Sequence, residues 1–165
     1  MKKRFSPGSR YQALLPFLCF LCAAPAFLAA QTTAVEIETL LASEAITYAQ
    51  ASRFVLDAAD RAAFASPEEA FRFAMEQNWL SRNAEACRPA RLDGLALLLM
   101  QSFGLRGGIL FTLTGSPHFA FRELEYLGFI HGRTSPGQRV SGDTLLYLTG
   151  RLLGHTEELT PVENH

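Results

Sequence analysis

Apolar positions fall at helical spacing along much of this chain. Ala70, Phe73, Ala74 and Gln77 follow that period, with Phe71 and Met75 beside them, so an amphipathic helix is predicted there. Ser66 is placed to cap it, Pro67 suits its first position, and Glu68 and Glu69 sit near its positive end. Asn78 tolerates the left-handed conformation that ends a helix. A loop over Ser81–Pro89 precedes a second helix, Arg91–Phe103, closed by Gly104. Within it, Leu95–Met100 is apolar nearly all round. That predicts a buried central helix, far too short to cross a bilayer.

The same pattern returns fifty residues later. Ser66-Pro67 falls on Ser116-Pro117, and Ala70-Phe71-Arg72 on Ala120-Phe121-Arg122. Asn78-Trp79-Leu80 falls on Gly128-Phe129-Ile130. Asp93, Leu95, Leu98 and Gly104 fall on Asp143, Leu145, Leu148 and Gly154. The second copy reads as a helix over Pro117–Leu127, a loop over Gly132–Arg139, and a helix over Ser141–Leu153 ended by Gly154. Half a copy lies upstream, near residues 47–60, opened by the capping box Thr47-x-x-Gln50. Ahead of it, Val35–Leu41 has a short apolar pattern that suits a helical turn or two. Between the copies, Gly107–Thr114 reads as a short strand or buried connector centred on 109–114. The expected fold is mainly α: three helix-loop-helix units near 35–60, 66–105 and 115–155, the first abbreviated. No unit can bury its apolar face alone. A polar tail over 156–165 completes the chain.

Charge divides the chain differently. Residues 1–30 hold Lys2, Lys3, Arg4 and Arg10, no acid, and an apolar run from Ala13 to Ala30. This is the make-up of a secretory signal peptide, with cleavage after Ala30 or at Ala24-Pro-Ala26. Cys22 lacks the small residue expected before a lipidated cysteine. Four of the fifteen Lys and Arg residues lie in this leader, and none of the sixteen acids, so residues 31–165 carry about −5. Cys87 is then the sole thiol, and an intrachain disulfide is excluded. A near-neutral, mildly acidic domain has no basic footprint for nucleic acid, and no later stretch is long enough for a membrane span.

The run Ser116-Pro-His-Phe-Ala-Phe-Arg-Glu-Leu-Glu-Tyr-Leu-Gly-Phe-Ile-His-Gly-Arg-Thr134 resembles the first half of an S-layer homology (SLH) repeat. That repeat has an aromatic-Ala helix start and a Gly-apolar-apolar-x-Gly turn. Its second half opens on Thr-Arg-Ala-Glu. The corresponding positions read Thr47-Tyr48-Ala49-Gln50, Ala90-Arg91-Leu92-Asp93 and Val140-Ser141-Gly142-Asp143. The resemblance covers most of residues 35–155. It implies a pseudo-threefold bundle and binding of an anionic cell-wall polysaccharide through the motif arginine. On this alignment only Arg91 keeps that arginine, with Tyr48 and Ser141 in the other two grooves. Gln50, Asp93 and Asp143 keep the residue that closes the cap.

Candidate chemistry beyond this is sparse. The four histidines show no metal-ligand spacing and read as ordinary surface or loop residues. Neither a phosphate loop nor a Gly-x-Ser-x-Gly elbow is present. Arg72 and Arg122 recur with Asp93 and Asp143, which suggests an Arg–Asp pair or an Arg-to-loop contact inside each unit. Trp79, Phe129 and Tyr126 suit core anchors at helix ends, or platforms for sugar rings. The expected function is non-catalytic and needs neither cofactor nor metal. It is that of an exported protein of the periplasm or cell envelope that binds a cell-wall polysaccharide or an envelope protein, with Arg91, Tyr48 and Ser141 as the contacts if the ligand is the polysaccharide. The alternative is a periplasmic structural or protein-interaction module with no carbohydrate ligand.

Overall fold

Capping chemistry sets the helix starts. The first helix, α1 (Tyr48–Ala58), opens on a complete capping box: the Gln50 N–H donates to Thr47 Oγ1 at 3.3 Å, and the Thr47 N–H donates to Gln50 Oε1 at 2.9 Å. Ser66 caps α2 (Pro67–Glu76) by accepting from the Glu69 N–H, and Pro67 stands where a missing N–H costs nothing. The central helix α3 (Leu92–Ser102) is buried at Leu92 and continuously from Gly94 to Met100. It is followed by the short α4 (Ile109–Thr114), then α5 (Pro117–Tyr126) and α6 (Gly142–Leu159).

The computed structural model describes residues 37–159. The leader read in residues 1–30, with its cleavage site and Cys22, lies outside them, as do residues 160–165. The chain divides into two compact units, Met1–Thr39 and Leu40–His165. Of the first, residues 37–39 are described and are helical. All six named helices belong to the second. The described residues are mainly helical, and their only β pairing is two isolated bridges, Thr47 with Pro89 and Arg91 with Arg139.

Four helix ends share one reversal. Asp60, Asn78, Gly104 and Gly128 have positive φ, and in each case the next residue's N–H reaches back five residues. Arg61 donates to Leu56 O, Trp79 to Ala74 O, Leu105 to Met100 O and Phe129 to Leu124 O, at 2.8–3.0 Å. This is the Schellman closure. Asn78 and Gly128 thus do one job with different letters. Gly154 does not follow Gly104: α6 runs through it to Leu159, so the expected stop at Gly154 is corrected. Leu105, after Gly104, is an apolar side chain packed against the core. His155, after Gly154, instead stays in the helix, with its ring edge-on to Phe129 at 5.4 Å.

The segment near 109–114 is helical, not extended. Gly108 precedes it, and left-handed Gly115 closes it by donating to Phe111 O at 2.8 Å. The hydroxyls of Thr112 and Thr114 bond back to the carbonyls of Gly108 and Leu110, which satisfies β-branched residues inside a helical turn. Only Phe111 is buried. Ile109, Leu110 and Leu113 are 85%, 57% and 80% exposed, so the segment is not a buried connector either.

Three buried residues join the parts. The Ile46 N–H donates to Val140 O (2.9 Å), the Val140 N–H to Ala90 O (3.0 Å), and the Ala90 N–H to Ile46 O (2.8 Å). The cycle closes on itself. Two residues on, Tyr48 donates to Arg88 O, Leu92 to Gln138 O and Gly142 to Ser43 O, at 2.9–3.1 Å. Residues 46, 90 and 140 are therefore equivalent, and so are 48, 92 and 142. Helix packing runs across the repeat boundaries: α1 lies chiefly on α2, and α3 on α5, with α1 also touching α3 and α6.

Candidate functional site

The hydrogen-bonded cycle fixes the register of the three helix starts. The residues just after Ile46, Ala90 and Val140 are Thr47, Arg91 and Ser141, and each precedes the first residue of its helix. Thr47 and Ser141 act as caps, Ser141 by accepting from the Thr144 N–H at 3.3 Å. Arg91 holds the same place with no side-chain cap bond. The equivalent of Arg91 in the first segment is thus Thr47, not Tyr48, and the sequence alignment of that segment is corrected by one residue. Tyr48, Leu92 and Gly142 are the true counterparts at the next position.

Each expected ligand residue then has a local role. Tyr48 is buried, and its hydroxyl accepts from the Arg91 N–H at 3.3 Å. Burial pushes its pKa up; the Arg91 N–H bond pulls the other way, and the Asp93 charge adds to the rise. Gly94 makes room for this ring: a Cβ there would lie 2.5 Å from the Tyr48 hydroxyl. The Arg91 side chain is 56% exposed and pairs with Asp93 at 3.0 Å. Ser141 is half-buried, with its Oγ 2.9 Å from Thr144 Oγ1. Arg91 and Tyr48 are neighbours.

The Arg–Asp pair expected inside each unit is not the one formed. Asp93 is held by Arg91 and the Gly94 N–H. Arg72 and Arg122 are exposed on α2 and α5, and Asp143 is exposed at the start of α6. None of these three makes an ion pair among the described residues. Asp93 and Asp143 also do not close caps as Gln50 does, because the register places them one residue too early. Trp79 is half-buried, edge-on to Phe73 at 5.7 Å and under the Arg61 guanidinium. Phe129 is buried, whereas Tyr126 is 87% exposed and anchors nothing in the core. His118 is exposed on α5 against Phe119.

A cavity of about 300 Å³ opens where the first residue of α3 meets the loop after Phe129 and the outer face of α6. Leu92, Ile130 and Leu148 supply apolar surface, and Thr134, Asp143 and Tyr147 supply polar groups. Its size is at the small end for ligand pockets. Tyr147 is 53% exposed. The Thr134 Oγ1 atom is buried with no hydrogen-bond partner. Arg151, one turn beyond Tyr147, braces this wall. Its Nη1 donates to Gly128 O at 2.7 Å and lies 2.9 Å from His131 Nε2, 3.3 Å from Tyr147 Oη and 3.5 Å from Phe129 O, and its guanidinium lies over the rings of Phe129 and Tyr147.

Neither Arg91, Tyr48 nor Ser141 lines this cavity. Sequence reasoning missed Thr134, Tyr147 and Arg151. The available signal was Tyr147 and Arg151 one turn apart on a half-apolar helix. Among the described residues, no group of three His, Cys, Asp or Glu side chains is placed to hold a metal ion, and no helix is long and apolar enough to cross a membrane. Comparison of the chain with family models, curated proteins and solved structures found no match.

Proposed function

We propose that this chain is a non-catalytic, exported cell-envelope protein whose SLH-like core binds a cell-wall glycan in the cavity beside α6. The observation that carries the reading is that cavity: an exposed tyrosine and a free carboxylate over apolar surface. A sugar ring needs the same set, with an aromatic face for its C–H side and polar groups for its hydroxyls. The cyclic bonding of residues 46, 90 and 140 supports the pseudo-threefold, three-unit arrangement that the SLH resemblance implies. The site differs from the one the resemblance implies. On the observed register the counterparts of Arg91 are Thr47 and Ser141, whose side chains cap their own helices, so this reading moves the binding role from Arg91 to the cavity. Export rests on the basic-then-apolar leader of residues 1–30.

Fractionation with intact-mass measurement tests the first half of this reading. A mature mass lacking residues 1–30, or 1–26, in an envelope fraction is expected. Full-length protein in the cytoplasm contradicts export. Co-sedimentation with purified cell wall tests the second half, and protein left wholly in the supernatant contradicts glycan binding.

The exposed helix α4 favours a second reading, a protein-interaction module. Ile109, Leu110 and Leu113 form an exposed apolar group whose threonine hydroxyls are satisfied internally, and such patches mark contact surfaces. This reading expects a dimer in solution that Leu113→Ser returns to monomer. A monomer at all concentrations removes it.

A further inference from the structure

We propose that the hairpin of α4 and α5 is a membrane-surface contact, with Ile109, Leu110 and Leu113 entering the headgroup boundary of an anionic phospholipid bilayer and Arg106 meeting lipid phosphate. Exposed apolar surface is concentrated on this hairpin. Among the described residues, the four most exposed large hydrophobic side chains are Tyr126, Ile109, Leu113 and Leu110, at 87%, 85%, 80% and 57%. Ile109, Leu110 and Leu113 fall at i, i+1 and i+4, within one face of α4. The two helices are in contact. A Cβ on Gly108 would lie 2.6 Å from Glu123 Oε1, so the start of α4 lies beside the middle of α5. Tyr126 is one turn beyond Glu123, on the same side of α5.

Charge and size decide between lipid and protein. From Gly107 to Phe121 the chain has no Asp, Glu, Lys or Arg, and an arginine stands at each end, Arg106 and Arg122. Both are exposed, and neither makes an ion pair among the described residues. Residues 31–165 carry about −5, so an anionic surface repels most of the domain and admits a face without acids. Glu123 is the exception beside α4, and it is half-buried against Gly108. The Thr112 and Thr114 hydroxyls are bonded to carbonyls of their own turn, so they enter the headgroup region without losing a partner. A stable protein interface takes about 20–30 residues a side, far more than this patch of four side chains. A bilayer sets no such minimum, since each aliphatic side chain partitions by itself.

The test places an environment-sensitive probe on Thr112→Cys, which keeps the three aliphatic side chains, in a chain whose own cysteines are changed to serine. A second chain carries the probe on native Cys87, which is exposed. The vesicles are phosphatidylcholine with and without phosphatidylglycerol. Expected is a blue shift, with quenching by brominated lipid, at residue 112 and not at Cys87. The probe reads insertion locally, so binding through another part of the chain does not mimic it. Ile109→Ser combined with Leu113→Ser should abolish the shift and leave the melting temperature nearly unchanged, since both side chains already face water. Arg106→Gln should weaken partition into the anionic vesicles about fivefold and leave partition into phosphatidylcholine alone unaltered. An unshifted probe at residue 112, an equal shift at both probes, or a shift that survives the double serine variant overturns the proposal. Equal affinity for the two kinds of vesicle overturns it too. A concentration-dependent dimer that forms without lipid, with no shift on vesicles, gives the face to a second copy of the chain instead.

Discussion

Single residues settle the register that the sequence left one position out. Thr47-Tyr48-Ala49-Gln50 looks like a complete motif, and its cap is real. Its partner segments were matched by letters, and Arg91 drew the alignment toward itself. Backbone bonds instead pair Tyr48 with Leu92 and Gly142, a relation that side-chain identity does not encode. Gly142 shows why the third letter is what it is: a Cβ there would lie 1.7 Å from the Leu40 carbonyl oxygen, which is backbone and cannot yield cheaply. Gly142→Ala should therefore destabilise the protein by about 1–3 kcal/mol. Gly150→Ala, in the same helix with open space around it, should be neutral or add up to about 1 kcal/mol. Thermal melts of the pair check this, and equal shifts would contradict it. Tyr48 carries a pH dependence whose sign is set by burial. Its folded pKa lies above the unfolded value of about 10, so the folded state holds the proton longer. Its contribution is fully present below that value and is lost as pH rises beyond it toward the folded pKa. Tyr48→Phe should flatten the alkaline fall in melting temperature, and an unchanged fall would assign it elsewhere.

At the scale of elements, helix starts were the most legible feature, because capping is local chemistry. Ser66-Pro67 and Thr47-x-x-Gln50 each begin a helix where the letters place it. Helix ends depend on the residues just beyond them. The left-handed residue was readable at Asn78, Gly104 and Gly128, but Asp60 closes α1 in the same way. Asp tolerates that conformation less conspicuously than Gly, and its spacing of 44 from Gly104 was the available signal. Gly107–Thr114 shows the limit of period-based reading. A short apolar run suits a strand or a helix equally, and two flanking glycines with two back-bonding threonines decide for helix. Its exposed side was not readable, because burial depends on which neighbours exist. Phe111 is the one buried side chain of α4. Phe111→Ala should cost about 3 kcal/mol or less, the low end for a buried phenylalanine. Protease cleavage within 107–115 should then outpace global unfolding, and cleavage elsewhere first would show that α4 is held by other contacts.

At the scale of the molecule, the repeat and the packing are out of phase. Sequence comparison joins α2 with α3 and α5 with α6, whereas the close helix pairs are α1–α2 and α3–α5. Covalent units and packed pairs therefore interlock, and the closed cycle through Ile46, Ala90 and Val140 links segments far apart in sequence. These three amides should exchange hydrogen only through global unfolding. Faster exchange at one of them would show that its segment opens alone. The cavity is a product of this assembly, since it needs Leu92 from one segment and residues 129–148 from the next, and so no linear motif announced it. The claim that binding lies there, and not at the helix-start arginine, is tested most directly by cell-wall co-sedimentation of Tyr147→Ala beside Arg91→Ala. Retention lost in Tyr147→Ala and kept in Arg91→Ala is the predicted result. Retention kept in Tyr147→Ala and lost in Arg91→Ala would contradict it.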